Sequence, residues 1–338
     1  MSDAKVQIKN LYKIFGRHPA RVLPLVKKGL SKPDLLDQHN HVLGLQDVSL
    51  DIPEKKIQVV MGLSGSGKST LIRHINRLIE PTDGQILIDG QDVLGMNDAD
   101  LREVRRRKTS MVFQKFGLLP HRKVKENVGY GLEIQGVGEG EIATRAQHWI
   151  DRVGLTGYED HYPGQLSGGM QQRVGLARAL ATDSEILLMD EAFSALDPLI
   201  RYDMQSILLE LQEELHKTII FITHDLDEAL RLGDNIAILR DGAMVQKGTA
   251  QDIVLKPADD YIADFTKDIN RGRVIRLDAL AAGTAPSDAP VLEGKAVLED
   301  ALPAFVQAPA QVIGVKMPGG GVGQVTLAQV VEALRGDH

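Results

Sequence analysis

Apolar residues recur along this chain in short runs. The stretches 58–61, 110–113, 186–189, 218–223 and 235–239 are almost wholly apolar, rich in β-branched residues and bounded by turn-forming residues. That pattern predicts strands buried on both faces. Amphipathic stretches with helical spacing separate them, as in a largely parallel sheet covered on each side by helices. The stretches 6–8, 47–52 and 85–88 instead alternate apolar with polar positions. They predict a second, antiparallel sheet with one face exposed. No run approaches the roughly 18 apolar residues needed to cross a bilayer, and residues 1–10 hold no apolar signal-peptide core.

Two segments break the rhythm. Residues 17–41 read as a basic insertion between strands. Arg17, Arg21, Lys27, Lys28 and Lys32 are uninterrupted by an acid, and Pro19 and Pro24 precede a helix-like stretch at 25–36. From 277 onward the chain turns rich in Ala, Pro and Gly, with three basic residues against seven acidic ones. A flexible linker is expected at 276–290, ahead of a short α+β segment at 291–338. In that segment a helix at 297–305, a strand at 311–316, a Gly-rich turn, a strand at 324–326 and a helix at 327–335 are predicted.

Composition narrows the classes. The chain has 338 residues, 43% of them hydrophobic and 25% charged, with a formal net charge of −7. It is long enough for a sizeable core and one or two domains. A mildly acidic chain is a poor general nucleic-acid binder. With no cysteine, disulfide frameworks, zinc ribbons, iron–sulfur clusters and a Cys nucleophile are excluded.

The sharpest chemical signal is Gly62-Leu63-Ser64-Gly65-Ser66-Gly67-Lys68-Ser69-Thr70, which fits G-x-x-x-x-G-K-[ST] between a strand and a helix predicted at 71–78. Glycines let backbone N–H groups face inward around phosphate oxygens, and the helix N-terminus adds partial positive charge. Lys68 is placed to reach β and γ phosphates, and the Ser69 hydroxyl to ligate Mg²⁺. The strand at 186–189 then ends in Asp190 and Glu191. Asp190 suits Mg²⁺, directly or through water, and Glu191 suits a general base for the attacking water.

The segment Leu166-Ser167-Gly168-Gly169-Met170-Gln171-Gln172-Arg173 opens another helical stretch. It resembles the Leu-Ser-Gly-Gly-Gln signature of the ATP-binding cassette (ABC) ATPases, with Met170 in place of the consensus Gln. Further motifs of that family follow in order. Gln114 matches the Q-loop glutamine, which senses metal and water. Ser194–Asp197 matches the D-loop, and His224 the switch histidine that contacts the γ-phosphate. Phe15 is similar to the aromatic on which adenine stacks, with Tyr12 the alternative. The resemblance implies a P-loop NTPase ABC cassette with a RecA-like core, an antiparallel β-subdomain and a helical subdomain around 115–175, together filling 1–275. It also implies a homodimer that sandwiches two MgATP, with Ser167, Gly168 and Gly169 binding the partner's nucleotide.

The opening Asn10-Leu-Tyr-Lys-Ile-Phe-Gly16, the basic insertion, the stretch from Met61 to Thr82 and Asp264-Phe-Thr-Lys-Asp-Ile-Asn-Arg271 resemble one branch more closely: the glycine betaine, choline and proline-betaine import ATPases. That branch implies an integral-membrane permease, a substrate-binding protein acting indirectly, and a place on the cytoplasmic face of the membrane. The alternative is a soluble ABC ATPase of repair or translation. The better-known importers carry two CBS repeats, whereas only one CBS-like copy is traceable here. Gly323 and Thr326 fit its adenosine-binding pattern, but Gln329 replaces the acid that would hold ribose. Three lesser features are read structurally: the basic cluster 102–108 as a solvated helix end, Gly319–Gly323 as a turn, and Trp149 as core.

Overall fold

The computed structural model describes residues 4–114, 116–194, 196–308, 310–317 and 319–335. The chain opens with β1 (Ala4–Phe15), α1 (Leu23–Lys27), α2 (Lys32–His39) and β2 (Val42–Pro53). β1 and β2 pair antiparallel with Val6 opposite Ile52 and Ile8 opposite Leu50. One face of the pair supplies core and the other meets water.

The helix expected at 25–36 is two helices. Gly29, at φ +98°, ends the first. The second restarts at Ser31, whose hydroxyl accepts from the Asp34 N–H at 3.2 Å, with Pro33 in its first turn. Val26 and Leu35 bury beside Tyr12, Ile14, Val22 and Leu43, so the insertion folds back onto β1 and β2. Its charges stay outside, and Lys27 donates to Asp83 at 2.5 Å.

Next come β3 (Ile57–Met61), α3 (Lys68–Ile75), β4 (Asp83–Ile88), β5 (Gln91–Asp92), α4 (Asp98–Glu103) and β6 (Thr109–Val112). The first sheet has the order β2-β1-β4-β5. Between α4 and β6 the basic cluster forms a π-helical turn whose arginines are exposed, as expected of a solvated helix end. Arg105 donates to the carbonyls of Asn76 and Arg77 at 2.9 and 2.8 Å, beyond the end of α3, and Lys108 pairs with Asp89.

Three helices follow, α5 (Val124–Gln135), α6 (Glu139–Arg152) and α7 (Gly168–Ala181), with Trp149 buried on α6. They form the helical part of the chain and run past residue 175; Lys115, the expected first residue of that part, lies outside the described residues. The chain then continues through β7 (Ile186–Asp190), α8 (Pro198–Leu215), β8 (Thr218–Thr223), α9 (Leu226–Leu232), β9 (Asn235–Arg240) and β10 (Ala243–Gly248).

The second sheet is ordered β10-β9-β3-β8-β7-β6. β3, β8, β7 and β6 are mutually parallel, and every residue of β3, β7 and β8 is buried. That is why those strands read as continuous apolar runs. Leu71, Ile72 and Ile75 of α3 share one core with Val6, Leu50 and Ile86 of the first sheet and Val60, Leu188 and Ile220 of the second.

The chain divides into two compact units, 1–228 with 237–245 and 229–236 with 246–338. The second contains α10 (Ala250–Leu255), α11 (Asp260–Thr266), α12 (Arg271–Val274), α13 (Leu277–Leu280), β11 (Val291–Glu293), α14 (Leu298–Gln307), β12 (Val312–Lys316), β13 (Val322–Thr326) and α15 (Leu327–Arg335). β11 and β12 run parallel, and β12 and β13 antiparallel.

A domain edge at 275, followed by a free linker, does not describe this unit. Ile275 and Leu277 are fully buried with Val254, Leu298, Phe305, Ile313 and Val325, and Ala282 bridges Gln324. The tail's core therefore includes residues that precede it in sequence, because its own short elements bury too little apolar surface alone. Among the described residues no helix is long and apolar enough to cross a membrane.

Candidate functional site

Parallel pairing brings the carboxyl ends of β3, β7 and β8 together. Met61 lies opposite Thr223, and Asp190 opposite Ile222. The residues that follow each strand therefore emerge at one sheet edge, where open α/β sheets bind ligands. After β3 the backbone turns at Gly62, φ +150°. A Cβ there would sit 2.1 Å from the Leu239 carbonyl oxygen. Gly67, φ +101°, enters α3 so close to the first sheet that a Cβ would lie 2.6 Å from the Gly44 carbonyl. Both positions require glycine. Between them Leu63, Ser64 and Gly65 are exposed and Ser66 is buried; Ser69 and Thr70 complete the first helical turn.

Lys68 is 4% exposed. Its ammonium donates to the Gly62 and Leu63 carbonyls at 2.8 and 3.0 Å and lies 3.8 Å from Glu191 Oε1. Burial holds its pKa below the usual lysine value, against the opposing pull of Glu191 and Asp190.

Glu191 occupies the left-handed region at φ +46°, uncommon for a residue with a side chain. The turn is secured on both sides. Its N–H donates to the Ile222 carbonyl at 3.1 Å, and the Ser194 hydroxyl donates to its own carbonyl at 2.9 Å. Its carboxylate is then met from two further segments. Gln114 Nε2 donates to Oε2 at 2.9 Å, and His224 Nδ1 lies 3.6 Å from the same oxygen. Lys68, Gln114, Glu191 and His224 thus converge from four places in the sequence.

Gln114 is itself positioned. It precedes a turn in which Phe116 takes φ +57°, and Arg178 of α7 donates to the Phe116 and Gly117 carbonyls at 3.1 and 2.6 Å. Asp190 is fully buried; its Oδ2 accepts from Arg73 Nη2 at 3.0 Å, and its Oδ1 has no partner among the described residues. A buried carboxylate oxygen without a donor among the described residues, within electrostatic reach of Lys68, fits the hard-oxygen donor set of a divalent cation.

Ser167 stands apart from this group. Its hydroxyl caps α7, accepting from the Met170 N–H at 3.3 Å, and Gly168 and Gly169 open that helix. Among the described residues no hydrogen bond joins them to the Lys68 loop. Asp197 likewise caps α8 through the Ile200 N–H at 3.1 Å, and Ala195 of the D-loop lies outside the described residues. Phe15 is 41% exposed, with Lys13 Nζ over its ring at 5.0 Å, whereas Tyr12 is buried in the small insertion core. In the tail, Gln329 Oε1 accepts from the Thr326 N–H at 2.8 Å and from its hydroxyl at 3.0 Å. The residue in the ribose-binding place is a helix cap.

Two features escaped the sequence reading. The Asp190 counter-ion, Arg73, follows Lys68 by little more than one helical turn, but nothing local marks it. The left-handed backbone at Glu191 has no residue signal at all, since glycine would be the usual choice.

A phosphate-sized cradle between strand and helix, a buried lysine and two carboxylates at the end of β7, one strand removed from β3, together define a P-loop nucleoside triphosphatase. A family model described as ABC transporter matches residues 45–194. Over 280 residues the chain is 53% identical to the glycine betaine/proline betaine transport system ATP-binding protein ProV of Escherichia coli (strain K12), covering 83% of this chain and 70% of that protein. Over 298 residues it is 48% identical to the trimethylamine N-oxide transport system ATP-binding protein TmoW of Ruegeria pomeroyi, covering 88% and 87%. The dimeric structure of MJ0796, a bacterial ABC transporter cassette, superposes with a TM-score of 0.63 at 33% identity, over 72% of this chain and 98% of that one. The chain belongs to the ATP-binding subunits of ABC transporters, within the group of betaine and trimethylamine N-oxide uptake ATPases. It is an ABC-type ATPase, ATP is the nucleotide its family binds, and the repair and translation alternative is set aside.

Proposed function

We propose that this chain hydrolyses ATP to drive import of a quaternary amine or related methylamine through a membrane permease. Glycine betaine, choline, proline betaine and trimethylamine N-oxide are the candidate substrates. The observation that carries the catalytic part is the convergence of Lys68, Gln114 and His224 on the Glu191 carboxylate.

In this reading the backbone N–H groups of 62–70 hold the phosphates and Lys68 neutralises the β and γ oxygens. Phe15 stacks on adenine. Glu191 takes the proton of the attacking water; Gln114 orients that water, and His224 donates toward the γ-phosphate. Ser69, Asp190 and Gln114 would hold Mg²⁺, which when bound neutralises charge on the phosphate oxygens. Ser167, Gly168 and Gly169 open α7 and, among the described residues, make no hydrogen bond to the Lys68 loop of their own chain. This supports a homodimer in which they face the other copy's nucleotide.

The substrate class rests on the relatives, named for glycine betaine, proline betaine and trimethylamine N-oxide transport. A substrate-binding protein supplies the ligand, and the ATPase works at the cytoplasmic face, held there by the permease. The single CBS-like tail serves dimerisation or regulation.

Glu191→Gln should keep nucleotide affinity and lower turnover by at least about 100-fold. Turnover near wild type would remove Glu191 as base. For the substrate, the ATPase is reconstituted with its permease and binding protein in vesicles. Uptake of labelled glycine betaine, choline or trimethylamine N-oxide that requires ATP and is lost in Glu191→Gln supports the reading. ATP turnover indifferent to every one of these ligands would overturn it.

A further inference from the structure

Asp190 has no exposed surface, and a carboxylate enclosed in that way is costly without a partner charge. The structure supplies one. Arg73 Nη2 donates to Oδ2 at 3.0 Å, while Oδ1 remains without a partner among the described residues. The two ends of the pair differ in setting. The acid is fixed inside the sheet edge, whereas the Arg73 side chain is 43% exposed at the rim. Lys68 does not serve the same purpose: its ammonium is engaged by the Gly62 and Leu63 carbonyls and faces Glu191. α3 therefore carries two cations with separate duties. Lys68, at its start, faces the general-base carboxylate. Arg73, five residues on, faces the buried one.

We propose that Arg73 is the protein's own counter-ion for Asp190 and competes with the divalent cation for this carboxylate. It is a positioning residue, since it acts only through Asp190, and the inference rests on the reading of Asp190 as a metal-bearing group. Two cations drawn to one carboxylate in a partly desolvated site repel each other. Arg73 thus keeps the buried acid compensated when no metal is held, and weakens metal binding in return. The guanidinium bond to Oδ2 leaves Oδ1 as the oxygen open to the metal or its water.

The test uses the full chain and a fluorescent, non-hydrolysable ATP analogue titrated with Mg²⁺. Arg73→Met should lower the half-saturating Mg²⁺ concentration by at least about threefold, and Arg73→Lys should stay within about twofold of wild type. Asp190→Asn should abolish the Mg²⁺ dependence. If Asp190→Asn does so while Arg73→Met leaves the Mg²⁺ requirement unchanged or raises it, Arg73 is no competitor and the proposal is overturned. If Asp190→Asn leaves the Mg²⁺ dependence intact, the metal reading of Asp190 fails first. A second measurement covers a poorly folding Arg73→Met. In EDTA, the double variant Arg73→Met/Asp190→Asn should unfold at higher urea than Arg73→Met alone. A double variant no more stable than the single one would likewise refute the counter-ion role.

Discussion

His74 lies on α3, the helix that carries Lys68, and has no exposed surface. Its Nδ1 sits 2.5 Å from the Thr70 carbonyl, so that nitrogen carries the proton, and Nε2 has no partner among the described residues. A second proton would place a charged N–H in a buried position with no acceptor among the described residues. Burial, helped by the positive charge of Lys13 and opposed by Glu80 and the Thr70 carbonyl, pushes the pKa down from 6.5 to about 4. The consequence for stability has a definite sign. Above pH 6.5 the imidazole is neutral in both folded and unfolded chains and contributes nothing pH-dependent. Below 6.5 the unfolded chain takes up a proton that the folded chain refuses. Stability therefore falls by about 1.4 kcal/mol per pH unit until about pH 4, a total of about 3 kcal/mol. His74→Leu keeps an apolar side chain of similar size and removes the titration. Urea unfolding followed through Trp149, the single tryptophan and a buried one, is measured for both proteins from pH 7.5 to 4.5. The variant should gain on wild type by about 2 kcal/mol between pH 6.5 and 5. Parallel stability curves over that range would show that His74 protonates freely in the folded chain and would refute the reasoning.

Three further outcomes follow from particular contacts. Gly67→Ala forces a Cβ to within 2.6 Å of the Gly44 carbonyl at φ +101°; nucleotide affinity should fall at least about tenfold in a fluorescence titration, and wild-type affinity would refute the cradle geometry. Phe305→Ala removes a fully buried ring from the core of the C-terminal unit; it should cost about 3–5 kcal/mol, read as an earlier calorimetric transition of that unit, and an unshifted transition would count against the core. Glu228 is 5% exposed, and burial raises its pKa despite the donor Gln205 at 3.1 Å. Its charge therefore opposes folding as pH rises through the folded pKa. Glu228→Gln should be more stable than wild type at pH 8, with the gain vanishing as pH falls into the ordinary carboxylate range; a gain that persists at pH 4 would sink that account.

The phosphate loop was legible because its chemistry is local. Gly62 to Thr70 carry their own conformational demands, and a strand and a helix on either side confirm the setting. The buried parallel strands were legible for a related reason: burial on both faces leaves unbroken apolar runs. The broken insertion helix shows where local signals were present but outweighed. Gly29, Ser31 and Pro33 mark a stop and a restart, yet the apolar spacing of 25–36 reads as one helix. The tail core shows a different kind of difficulty. Val254 and Ile275 look like the end of the preceding domain and Leu277 like the start of a linker, and only three-dimensional burial assigns them to one core with β12 and β13.

Short-range chemistry thus resides in the sequence: which segments form strands, where glycine must stand, and which residues suit phosphate, proton transfer and a metal. The tertiary structure decided the pairings. It set Arg73 against Asp190, Gln114 and His224 around Glu191, and Arg178 under the turn after Gln114. It also showed Gln329, which stands in place of a ribose-holding acid, to be a helix cap. The physical reason is the range of the forces involved. Backbone preference and apolar periodicity act within a few residues. The need to compensate a buried charge is met by whichever side chain the fold brings within hydrogen-bond distance, however far along the chain it lies.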